Sequence, residues 1–318
     1  MNYQPRHFPL HLSLAVTAVL SQLAPARDSA TTAPLQIRDV PRATQIGSGP
    51  IPAGAPGNGR YVPPTPANPR LPTLWLIGDS TVRNGTSGDN GPDGQWGWGA
   101  PLTGFFDLQK INVVNRAFGG TSSRTFYNGF FWKDLQPRLK PGDFVLIQFG
   151  ANDNGGAKGK GGLGGIGDAT EMNNAETVHS FGWYLKQFVV ETRAQGATPI
   201  LCSLTPRKGW SPDGKEFLRS TSTHVAWTEQ VAQETTTPFV PLYAIIASTY
   251  EKLGMAKVDT LCVPPPKEKL HTGWEGAVIN AECVVSGLKA LPDVPLARFL
   301  APRAGAIAPA SGTTRPGK

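Results

Sequence analysis

Five short apolar runs punctuate the chain, at Leu74 to Ile77, Ile111 to Val114, Phe144 to Phe149, Pro199 to Leu204 and Phe239 to Leu242, each bounded by Gly, Pro, Asn or Asp. Runs of this length with these boundaries predict buried strands. Between the later runs the apolar period changes. From Asn174 to Gln195, the side chains of Val178, Phe181, Leu185, Phe188 and Val189 share one helical face, and Gly196 supplies a stop. A second helical face, Ala277, Ala281, Val284, Val285 and Leu288, follows Thr272 and Glu275, which have capping-box spacing. Strands alternating with helices predict an α/β domain around a parallel five-stranded sheet, with ligands bound beyond the carboxyl ends of the strands.

Composition sets the limits of that domain within the 318 residues. Residues 1–26 run from a polar start containing Arg6 through an apolar stretch to Ala24-Pro25-Ala26, the pattern of a secretory signal peptide. Residues 27–70 read as a linker: Pro41 to Arg70 holds eight Pro and five Gly, too few apolar groups to offset the entropy of ordering. Residues 301–318, rich in Ala, Pro and Gly, read as a disordered tail. The folded domain is expected at 71–300, with no later run long and apolar enough to span a membrane. A net charge of +7 without a basic cluster argues against nucleic-acid binding, yet would attract an acidic polymer. Three cysteines make no paired metal pattern. After export, Cys262 and Cys283 could bridge around His271, or all three thiols could stay apart with Cys202 in the core.

The strand ends carry the candidate chemistry. Gly78-Asp79-Ser80-Thr81 follows the first run, Asn115-Arg116-Ala117-Phe118-Gly119-Gly120-Thr121-Ser122 the second and Gly150-Ala151-Asn152-Asp153 the third. A serine projecting from a tight turn at the sheet rim can attack a carbonyl once a base takes its proton, which makes Ser80 the candidate nucleophile. Of His179, His224 and His271, the last is best placed, at the entry of the second helical pattern; the other two suit structural roles. Glu268 can accept from one ring nitrogen of His271 and leave the other free for Ser80, with Asp259 as an alternative acid. Gly120 N–H, the Asn152 side-chain amide and the Ser80 N–H can hold the oxyanion of an attacked ester.

Together these residues resemble the SGNH, or GDSL-type, hydrolases, with Ser80, Gly120, Asn152 and His271 in the four signature blocks over roughly Leu71 to Leu291. Gly78-Asp79-Ser80-Thr81-Val82, Gly97-Trp98-Gly99, Asn115-Arg116-Ala117, Ser122-Ser123-Arg124, Gln148-Phe149-Gly150, Thr177-Val178-His179 and His271-Thr272 are similar to the rhamnogalacturonan acetylesterase branch. The resemblance implies a three-layer α/β/α sandwich of flavodoxin-like type without metal or organic cofactor. It also implies a serine esterase removing O-acetyl groups from an acidic pectic polysaccharide, secreted or periplasmic, expected to be monomeric. Two positions depart from the pattern: Glu268 stands where the family usually has Asp, and Ala151 where it often has His. A lipase or thioesterase on the same catalytic groups, and a non-catalytic polysaccharide-binding protein, are the alternatives.

Other features complete the reading. Trp96 and Trp98 could stack on sugar rings or simply pack. Gly155 to Gly167 holds eight glycines in thirteen residues. Its G-x-G-x-x-G match lacks the strand and helix of a nucleotide site. The segment reads as a solvated insertion or a mobile lid beside Asn152, with Lys158 and Lys160 available to galacturonate carboxylates. Asn84-Gly85-Thr86 is a glycosylation sequon close to Ser80.

Overall fold

The computed structural model describes Met1 and residues 63–83, 94–219 and 223–311. The expected signal peptide, most of the expected linker, the Asn84 sequon and residues 312–318 lie outside the described residues.

In chain order the described strands are β1 (Thr73–Gly78), β2 (Asn112–Asn115), β3 (Phe144–Gln148), β4 (Thr170–Asn173), β5 (Glu176–His179), β6 (Thr198–Cys202) and β7 (Phe239–Val240). The α-helices are α1 (Gly99–Leu102), α2 (Ser123–Asn128), α3 (Phe130–Leu135), α4 (Phe181–Ala194), α5 (Thr223–Glu234), α6 (Leu242–Leu253), α7 (Met255–Leu261) and α8 (Trp274–Lys289). Five strands form one sheet in the order β2-β1-β3-β6-β7, every neighbouring pair parallel. This is the flavodoxin-like order, whose binding crevice opens between the first and third strands, at their carboxyl ends.

Alternation along the strands divides the core into two layers. Leu74 and Leu76 of β1, with Phe144, Leu146 and Ile200, face α1, α6 and α8 through Leu102, Ile246, Ala277 and Val284. Trp75 and Ile77, with Val145, Ile147 and Leu201, face α2 to α5 through Phe126, Phe131, Phe188 and Val231. Burial on both faces explains why each strand reads as an uninterrupted apolar run.

Several expectations are corrected. The helix predicted from Asn174 begins at Phe181, capped by the Ser180 side chain, which accepts from Trp183 N at 3.1 Å. Residues 170–179 instead form the antiparallel β4–β5 hairpin, with Asn174 at φ 54° in its turn. The capping box at Thr272 does not form: α8 starts from Gly273 without a side-chain cap, Thr272 Oγ1 donates to Trp96 O at 2.9 Å, and Glu275 pairs with Lys257. Of the two cysteine arrangements left open, the thiols stay apart: Cys202, Cys262 and Cys283 are all free and buried. Residues 301–311 are ordered where a disordered tail was expected. Ala301 N donates to Phe105 O at 2.8 Å, and Ser286 Oγ and Lys289 Nζ on α8 donate to Ala308 O and Ala304 O at 2.7 and 3.1 Å. At the other edge, Pro64 O accepts from the buried Arg116 at 3.0 Å, so the folded unit reaches back into the expected linker.

Candidate active site

Beyond β1 the chain turns sharply because the Asp79 side chain captures the backbone. Its Oδ1 accepts from Thr81 N and Thr81 Oγ1, both at 2.8 Å. Beneath this turn Gln148 donates to Thr81 Oγ1 at 2.8 Å and accepts from Trp98 Nε1 at 2.7 Å. A fully buried amide thus fixes the turn from the end of β3. Ser80, half-buried at the apex, points its Oγ at His271 Nε2, 2.9 Å away.

The candidate oxyanion donors are laced to the same strand end. Gly78 O accepts from Phe118 N at 3.0 Å and from Thr121 Oγ1 at 3.3 Å, and Thr121 O accepts from Asn152 Nδ2 at 3.0 Å. Between Phe118 and Thr121 the chain passes through Gly120 at φ 79°, a conformation that favours glycine. Among the described residues neither the Gly120 N–H nor the Ser80 N–H has an acceptor in the protein. Two unspent backbone donors and an amide, grouped beside a serine hydroxyl, can stabilise a developing oxyanion.

His271 is held by backbone pairing on both sides. Val263 N donates to His271 O at 3.0 Å, and Trp96 N donates to Thr272 O at 2.7 Å. Glu268 Oε1 lies 3.3 Å from His271 Nδ1, inside ion-pair reach but not aligned for a hydrogen bond; Nδ1 is buried without a bonded partner. The extra methylene lets the carboxylate fold back instead, so that Oε1 accepts from the N–H groups of Lys269, Leu270 and His271 at 2.9, 2.8 and 3.1 Å. Burial draws the Glu268 carboxyl upward, but those N–H groups and the imidazole outweigh it and hold the group below the ordinary glutamate value. Asp259, the alternative acid, is committed to Lys208 Nζ at 2.7 Å.

The remaining candidates fall into supporting places. Trp98 is 0% and Trp96 6% exposed, the latter edge-on to Trp274 at 4.9 Å, so neither offers a face to a sugar. His179 stacks on Trp183 at 3.7 Å, and His224 Nε2 meets Asp153 O at 2.9 Å while burial lowers its pKa. Asp153, next to Asn152, takes Ser123 N and Oγ on Oδ1 at 2.9 and 2.5 Å and Gly150 N on Oδ2 at 2.9 Å. Among the described residues no group of three or more His, Cys, Asp and Glu side chains could hold a metal ion.

Sequence reasoning gave no role to Thr121, Gln148 or Arg124, each of which positions a candidate group. Arg124, buried, threads the glycine-rich segment: its Nη1 donates to the carbonyls of Ala157, Gly159 and Gly161 at 3.1, 3.3 and 3.1 Å, while its Nε and Nη2 pair with Glu176 on β5. The segment is fastened rather than free to swing as a lid. A polar pair, Ser123-Arg124, just after a run of candidate donors was the one signal of this in the chain.

Three comparisons place the geometry among known proteins. The model of the GDSL-like lipase/acylhydrolase family matches residues 76–276. The chain is 30% identical over 234 residues to a rhamnogalacturonan acetylesterase of Emericella nidulans, covering 70% of this chain and 88% of that one. It is 25% identical over 243 residues to rhamnogalacturonan acetylesterase RhgT of Bacillus subtilis, covering 73% and 95% respectively. The solved structure of Bacillus subtilis YxiM superposes with a TM-score of 0.57 at 25% identity over 69% of this chain; the match spans 56% of that structure's length.

Proposed function

Because the chain belongs to the GDSL-like lipase/acylhydrolase family and is a serine hydrolase acting on ester bonds, we propose that it is a secreted esterase removing O-acetyl groups from a pectic polysaccharide of the rhamnogalacturonan type. The observation that carries this reading is the 2.9 Å approach of Ser80 Oγ to His271 Nε2 beside unspent N–H donors.

Ser80 Oγ attacks the acetyl carbonyl as its proton passes to His271 Nε2. The carbonyl oxygen, now an oxyanion, accepts from Gly120 N–H, Ser80 N–H and the free N–H of Asn152, and the Glu268 charge steadies the imidazolium. His271 then returns the proton to the sugar oxygen, the ester C–O bond breaks, and an acetyl-serine remains. Water, activated by the same imidazole, adds to that ester and releases acetate. The acetylated, acidic polymer is supported by the relatives' named substrate and by the chain's net charge of +7. Among the described residues no helix is long and apolar enough to cross a membrane.

The test compares acetate release from acetylated rhamnogalacturonan by the wild type and by Ser80→Ala. The variant is expected to lose at least about 10³-fold in kcat. Equal rates would reject the assignment.

A further inference from the structure

Lys160 sits at an unusual junction of the two segments that carry the candidate oxyanion donors. Three consecutive carbonyls of the glycine-rich segment are tied to residues that immediately follow Gly120 and Thr121. Gly159 O and Gly161 O accept from Arg124 Nη1 at 3.3 and 3.1 Å, and Lys160 O accepts from Ser122 Oγ at 2.5 Å. On its other side the segment lies flat on the residue after Asn152: a Cβ built on Gly161 would stand 2.4 Å from the Asp153 carbonyl carbon. The Lys160 backbone is therefore anchored while its side chain remains exposed.

That side chain reaches back over the site. Its Nζ stands 4.0 Å from where a Cβ on Gly120 would be. Among the described residues the ammonium has neither a hydrogen-bond nor an ion-pair partner. The carboxyls of the surrounding segments are committed elsewhere: Asp153 to Ser123 and Gly150, Asp79 to Thr81, and Glu176 to Arg124. An acetyl group is neutral and does not require a cation at this distance. A sugar acid next to it does.

We propose that Lys160 forms a carboxylate-binding subsite at the rim of the acyl pocket, taking the free carboxylate of a uronate unit at or beside the acetylated sugar. The subsite rests on the pectic-acetylesterase reading and refines it, by making the charge state of the polymer a determinant of the rate. Exposed pairing of this kind is worth up to about fivefold and is screened by salt.

The full-length chain is assayed for kcat/KM of acetate release from an acetylated rhamnogalacturonan oligosaccharide with free carboxylates and from its methyl-esterified counterpart, at low and high salt. The wild type is expected to prefer the free acid by about fivefold at low salt, with the preference shrinking as salt rises. Lys160→Gln should bring the ratio close to one and Lys160→Glu should invert it, with unfolding midpoints confirming that both variants fold. An unchanged ratio in Lys160→Gln, or an equal loss on both substrates, overturns the subsite while the esterase stands. Failure of the wild type to deacetylate either oligosaccharide overturns the pectic reading, and the subsite with it.

Discussion

Glu268 shows how one methylene alters a candidate acid beside the imidazole. A shorter acid would address Nδ1 of the imidazole directly, whereas this carboxylate caps three backbone N–H groups and lies 3.3 Å from Nδ1 without a bond. Two roles are thus combined, building the turn and supplying a negative charge. Glu268→Gln retains an acceptor oxygen for the N–H groups and removes the charge. It is expected to lower kcat on an aryl acetate by about 10- to 100-fold, less than loss of a directly bonded acid, with the unfolding midpoint nearly unchanged. Unaltered kcat would mean that the carboxylate serves the turn alone. At this scale the approach of Ser80 to His271 was legible, because a hydroxyl at a strand end needs a base within reach, and Gly120 and Asn152 stood out as candidate donors just beyond β2 and β3. For Trp96 and Trp98 the sequence left stacking and packing open, because a glycine-rich neighbourhood says nothing about burial; both are packed. The alignment of Glu268 was also illegible, since it depends on a side chain folding back on its own turn.

Among the elements, the strands were easier to read than the helices. Strands buried on both faces leave continuous apolar runs that flanking Gly and Asp delimit, and the observed strands match all five runs to within a residue or two, the last ending early at Val240. The segment before α4 failed because Val178, buried in β5, falls by chance in phase with the helical stripe of Phe181, Leu185 and Phe188. The hairpin that replaced it has a purpose: Glu176 of β5 anchors Arg124, and Arg124 holds the glycine-rich segment against α2. Arg124→Ala strips three carbonyls of their donor and leaves Glu176 without its guanidinium. A loss of about 3 kcal/mol is expected in denaturant unfolding, together with a raised KM on polysaccharide. Destabilisation without any change in KM would show that the segment does not shape the cleft.

For the whole molecule, the arrangement under the site makes stability depend on pH. Burial raises the Asp79 carboxyl, and it raises that of Asp153 to about 7, with the charge of Asp79 adding to the rise. Between the unperturbed 3.8 and about 7 the folded protein keeps a proton on Asp153 that the unfolded chain has released. Stability from this group is therefore full in acid and is lost as pH climbs through that window. Glu176 and Glu268 act in the opposite sense: both are held below the ordinary value, and their contribution fades as pH falls. The unfolding midpoint should accordingly peak in mildly acidic solution and decline toward neutrality. Asp153→Asn, which removes that titration, is expected to flatten the decline; a slope identical to the wild type would contradict the account.

The contact between Ser80 and His271 joins positions 191 residues apart, across nearly the whole folded unit. All five strands of the sheet precede the imidazole in the chain, and such distant closures are the slowest to be won. Turnover is therefore a built-in gauge of maturation: a chain halted before His271, or one whose segment carrying His271 is undocked, holds its nucleophile without the base that would arm it.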